Sequence, residues 1–174
     1  MEKGKLKKQS SYLLCLIISF FIVSCASKIN QEYFSNTLGL NISIQKKTFD
    51  SSDAINQQGE GFTIEVYTYE DKKNENILKS ISSFPVTYDI RKTWKISQWS
   101  KTPLSNKDVQ NLLFKYAIKD EKMKMQLQKI QEVLNSTDNY FSYYYKDYEG
   151  EIYAVDISII DTKNKIIYQC EVIT

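Results

Sequence analysis

Leu40, Ile42 and Ile44 alternate with Asn41, Ser43 and Gln45, the period of two that a half-buried strand requires. The same period returns in GFTIEVYTYE, with Phe62, Ile64 and Val66 on one face and Thr63, Glu65, Tyr67 and Tyr69 on the other. The chain between them is polar from Lys46 to Gly61, and Gly59 and Gly61 mark a turn. After a charged turn, EDKKNEN, the stretch ILKSISSF predicts a short helix limited by Pro85. TYDIRKTWKISQW then predicts an extended segment with Trp94 and Ile96 on one face. Trp99 falls out of that register, so either the strand bulges before it or its ring faces the other side.

The period changes after PLSNKDV. Ser105 is placed to cap a helix, Asp108 supplies a carboxylate to the first turn, and Leu104 is placed to staple onto Val109. Val109, Leu112, Leu113, Tyr116, Met123, Leu127, Ile130 and Leu134 follow at spacings of three, four or seven. They form one apolar stripe on a helix of about 30 residues, about 45 Å long. Asp120 lies on that stripe and predicts a bend or break near KDEK, and NSTDN ends the helix. Three strands close the chain: YFSYYYKDY, EIYAVDISII and IIYQCEVI, joined around Gly150 and by the polar loop DTKNK. The expected fold is α+β, an antiparallel β-sheet with a C-terminal three-stranded meander packed against one long amphipathic helix.

The first residues follow neither period. Lys3, Lys5, Lys7 and Lys8 precede thirteen largely apolar residues from Tyr12 to Ser24. Thirteen are too few to cross a bilayer, which takes about 20, but they suit the apolar part of a secretory signal. The run ends in Ile22-Val23-Ser24-Cys25, a small residue immediately before a cysteine, and resembles the lipobox of bacterial lipoproteins. Ile22 and Val23 are conservative departures from its commonest form. The resemblance implies that Cys25 is alkylated by a diacylglyceryl group, that the signal is cut before it, and that the new amino terminus is acylated. The expected organisation is a signal peptide over residues 1–24, the lipidated cysteine and a tether over 25–37, and a single domain over 38–174. Ala26 is not the aspartate that retains such lipoproteins at the inner membrane, and SKINQ lacks the acidic cluster that some bacteria use to send them to the cell surface. The expected address is the periplasmic face of the outer membrane.

Removing the leader changes the charge balance. Four lysines and Glu2 leave with the first 24 residues, so 19 basic and 20 acidic residues remain, net −1. Nothing in such a chain calls for nucleic acid, whose phosphates require a concentrated basic face. Cys15 leaves with the signal and Cys25 carries lipid, so Cys170, in an apolar run, reads as a small buried hydrophobe. Histidine is absent, which removes the usual base near neutral pH and the commonest zinc ligand. No cofactor is called for.

The most distinctive composition is NYFSYYYKDYEGEIY, with five tyrosines between Tyr140 and Glu149. Tyrosine gives large contact area with few rotors and is enriched at binding surfaces. Tyrosine also favours strands. Alternation sends Phe141, Tyr143 and Tyr145 to one face and Tyr140 and Tyr144 to the other, so one set is expected in the core. Trp94 and Trp99 complete the candidate binding surface, which could alternatively stack on sugar rings. Asp147, Glu149, Glu151 and Asp156 read as solvated turn charges, because DYEGEIYAVD lacks the ligand spacing of a calcium loop. The expectation is a membrane-tethered, non-catalytic module that binds another envelope protein, such as an immunity or assembly factor. The alternative is a glycan-binding or carboxylate-based glycan-acting protein.

Overall fold

The computed structural model describes residues 31–51, 61–114 and 120–174. Cys25, the leader, Gly59 and Tyr116 lie outside the described residues. The fold is α+β, built on a six-stranded antiparallel sheet: β1 (Ile42–Asp50), β2 (Gly61–Asp71), β3 (Lys95–Lys101), β4 (Tyr140–Tyr148), β5 (Glu151–Asp161) and β6 (Ile166–Ile173). The strands lie in the order β1-β2-β6-β5-β4-β3, so β1 and β3 are its edges. Helices α1 (Lys107–Phe114) and α2 (Glu121–Asn135) link β3 to β4 and pack against β5.

The helical stripe is divided between these two helices. Asp120 has extended backbone and its Oδ1 accepts from the Met123 amide at 2.8 Å, capping α2 rather than continuing α1. A short polar side chain that satisfies an orphan N–H favours a new start over a buried carboxylate on a continuous stripe. At α1 the cap is Asn106, whose Oδ1 accepts from the Asp108 and Val109 amides, and not Ser105. The expected helix at ILKSISSF does not form. That segment is irregular apart from a bridge between Leu40 and Leu78.

Both faces of the sheet are covered. Phe62, Ile64 and Val66 join Val155, Ile157, Ile159, Cys170 and the buried faces of α1 and α2 in one core. Tyr67, Tyr69, Ile160 and Ile167 form the opposite face, covered by Phe34, Leu38 and Leu40. Ile77, Leu78, Phe84, Tyr88 and Trp94 pack against that second core. The second cover thus comes from residues 33–40 and from the long connection between β2 and β3. Tyr33–Thr37, expected to be tether, is a π-helical turn that buries Phe34, so packing begins before Leu38. Gly39 has φ +69, and the Phe84 ring occupies the space that a Cβ there would need. In β3 the register shifts between Ser97 and Ser100. This bulge returns Trp99 to the face of Trp94 and Ile96.

Candidate functional site

The second face carries ionisable groups among its apolar ones. Alternation along β5 and β6 places Asp156 directly beside Glu171, and Tyr144 of β4 is the partner of Asp156 on its other side. Two neighbouring buried carboxylates repel unless a cation joins them. Arg91 supplies it from the 3-10 turn Asp89–Arg91, with Nε 3.0 Å from Asp156 Oδ2 and Nη2 2.6 Å from Glu171 Oε1. The Tyr88 hydroxyl donates to the same Asp156 oxygen at 3.3 Å, and the Tyr144 hydroxyl donates to the Val86 carbonyl at 2.7 Å. Tyr88 meets Tyr33 and Tyr144 edge-on at 5.4 and 5.3 Å between centroids. A second polar row crosses the sheet beside it, where Ser158 donates to Gln169 at 3.0 Å.

Burial sets the proton affinities here. Loss of water raises the Asp156 carboxyl above its ordinary range, against the opposing pull of Arg91, and Glu171 rises for the same reason. The Tyr33, Tyr88 and Tyr144 hydroxyls are also raised, first by burial and then by the nearby acidic or phenolic groups. Arg91 engages both carboxylates through one planar guanidinium, so the arrangement works as a clamp between sheet and cover. Lys47 makes a smaller clamp at the β1–β2 edge, 2.8 Å from Asp50 and 2.6 Å from Glu65.

The structure distributes the sequence-predicted residues through both cores. Phe141 and Tyr143 are buried on the helix side, stacked 6.4 Å apart with rings nearly parallel, and half-buried Tyr145 lies beside Tyr143. Tyr144 is 1% exposed on the opposite side, where Tyr140 is half-buried. Neither alternating set therefore stands free, because β4 lies between two strands and beneath cover on both faces. Trp99 is also 1% exposed and its Nε1 donates to the Leu38 carbonyl at 2.7 Å. Trp94 is half-buried between the Arg91 guanidinium, 4.4 Å from its ring, and the Lys146 ammonium at 5.2 Å. Tyr140 also lines an open cleft of about 780 Å³ with Asp71, Lys72, Asn76, Leu78 and Ile81. Cys170 is buried, and loss of water holds its thiol in the protonated form.

Two features escaped the sequence reading. Asp156 is a buried clamp residue rather than a solvated turn charge. Its signal was the nearly unbroken apolar run of β5, AVDISII, which suits a strand covered on both faces. The second feature is that three of the six exposed large apolar side chains among the described residues lie on the β2–β3 connection, Ile81 at 46%, Val86 at 39% and Ile90 at 70%, the others being Met125, Tyr148 and Tyr153. Compared with known proteins, the chain matches no family model, no curated protein and no solved structure.

Proposed function

We propose that the chain is a lipid-anchored protein of the bacterial cell envelope, held by Cys25 at the periplasmic face of the outer membrane. In this reading it acts there as a non-catalytic binding module for another envelope protein. The observation that carries the anchor is Ile22-Val23-Ser24-Cys25 at the end of thirteen largely apolar residues behind four lysines. One acyl chain holds a protein only marginally, whereas two or more hold it firmly, so the mature chain stays tethered.

Binding rather than turnover is supported by how ionisable groups of the sheet are used. Asp156 and Glu171 are engaged by Arg91, and Asp147 pairs with Lys95 at 2.7 Å. The glycan reading has less support, since Trp99 and Tyr144 are covered and Trp94 is half-buried. The exposed Tyr148 and Tyr153, on the β4–β5 hairpin, offer contact area instead.

The test is expression in a Gram-negative host. Wild-type protein should partition into detergent with a triacylated Cys25 as its first residue by mass spectrometry, and Cys25→Ser should be neither lipidated nor retained. An unmodified Cys25, or cleavage at another bond, rules the anchor out. Cross-linking in intact cells followed by pull-down should recover a discrete envelope protein. Stoichiometric retention of glycan fragments with no protein recovered would favour the alternative.

A further inference from the structure

The geometry points to the exposed surface of the 77–92 connection as a membrane-docking face, which lays the domain against the bilayer that holds its anchor. The inference rests on the lipid-anchor reading. Its first support is where the chain enters the fold. The Gln31 side-chain amide donates to the Ile42 carbonyl at 2.9 Å and accepts from the Ile44 amide at 2.8 Å, fixing the start of the described chain to the outer edge of β1. The next residues, Tyr33–Thr37, lie in the same layer as the connection: Lys79 Nζ reaches the Ser35 carbonyl at 2.6 Å, the Val86 amide donates to Thr37 at 2.9 Å, and Tyr33 meets Tyr88. The tether therefore emerges from the layer that displays Ile81, Val86 and Ile90.

The second support is length. Six residue steps separate Cys25 from Gln31, a reach of at most about 20 Å when fully extended. A domain of this size has a radius of gyration of about 14 Å and is some 35–40 Å across. The anchor thus holds the entry layer within reach of the headgroups.

The third support is chemistry. From Asn76 to Tyr88 the connection has no carboxylate and carries Lys79, Ser80, Ser82, Ser83 and Thr87 beside its apolar residues, and Asp89, next to Ile90, is exposed and paired with Lys92 at 2.9 Å. Apolar side chains ringed by hydroxyls and a cation suit the boundary between acyl chains and phosphate headgroups. Ile90 is presented rigidly, because its neighbour Arg91 is fixed to Asp156 and Glu171. An exposed isoleucine on a fixed turn loses little freedom on burial.

The test uses the full chain, extracted from host membranes in detergent and reconstituted into vesicles of phosphatidylethanolamine and phosphatidylglycerol. An environment-sensitive fluorophore is attached at Val86→Cys or Ile90→Cys, and for comparison at Met125→Cys on exposed α2 or Lys163→Cys in the β5–β6 turn. The buried Cys170 thiol resists labelling. Labels at 86 and 90 should shift to the blue and be quenched several-fold more strongly by lipid-borne nitroxide than those at 125 and 163. Ile81→Asp with Ile90→Asp should return the label at 86 to water without moving the thermal midpoint. If Cys25 is lipidated and the label at 90 stays as wet as that at 163, the docking face is wrong and the anchor stands. If mass spectrometry finds Cys25 unmodified, the anchor reading and the docking face fail together. A label at 90 that becomes dry only when envelope protein is added also overturns the proposal, in favour of a protein partner.

Discussion

Arg91 is the side chain on which the second cover depends most. Replacing it with methionine leaves buried Asp156 facing half-buried Glu171 with no cation between them, and removing one partner of a buried pair costs about 3–5 kcal/mol. Urea denaturation near neutral pH should show that loss. The pH dependence follows from Asp156 itself, whose folded carboxyl titrates above its ordinary 3.8 because burial disfavours its charge. A raised acid binds protons more readily when folded, so its stabilising contribution is complete below about pH 3.8 and is lost as pH rises through the folded value. The wild-type advantage over Asp156→Asn should therefore shrink from acidic toward neutral pH in urea midpoints measured at each pH. An advantage that grows with pH would mean that Arg91 outweighs desolvation. For the same reason Arg91→Met should cost less in acid, where Asp156 is protonated.

At the scale of elements, the division of the helical stripe makes unequal predictions for its members. Ile130 is fully buried between α2 and the sheet, and Ile130→Ala should cost about 2–5 kcal/mol. Leu127 is only half-buried and should cost less, while exposed Lys129→Ala should stay within about 0.5 kcal/mol. Asp120→Ala removes the cap of α2 and should cost about 1 kcal/mol. Thermal or urea midpoints order the four. The apolar faces of these elements were legible in the sequence because each residue's side is set by backbone period alone: Phe62, Ile64 and Val66 lie together, as do Val109, Leu113 and Ile130. What period does not encode is partnership across the chain. The cover over the second face is irregular, held by backbone contacts from Asn41 to Ile77, Lys79 to Gly39 and Trp99 to Phe84. None of these leaves a repeating pattern. Tyrosine in β4 left its two faces undistinguished for a related reason, since a strand paired on both edges and covered on both faces uses the same residues as a half-exposed one.

At the scale of the whole molecule, one sheet is shared by two unlike covers, and this predicts how the fold opens. The helix side is closed by α1 and α2, regular elements whose apolar residues interlock with Val155, Ile157 and Ile159. The opposite side is closed by a π-helical turn and a long irregular connection, fixed by scattered backbone bonds and by Arg91. Local opening starts where buried apolar contacts and regular hydrogen bonds are fewest. Native-state hydrogen exchange should therefore find the Lys79 and Val86 amides, bonded to Gly39 and Thr37, exchanging through a lower-energy opening than the β5–β6 ladder from Ala154 to Asp161. Arg91→Met should lower the opening energy of the Lys79 and Val86 amides more than it lowers that of the ladder, because the clamp joins the cover to the sheet rather than strand to strand. Protease sensitivity within 77–92 should rise in step, while α2 remains protected. Equal protection of both amide sets, falling together in the Arg91 variant, would show instead that the two covers and the sheet open as one cooperative unit, with the clamp serving the whole domain.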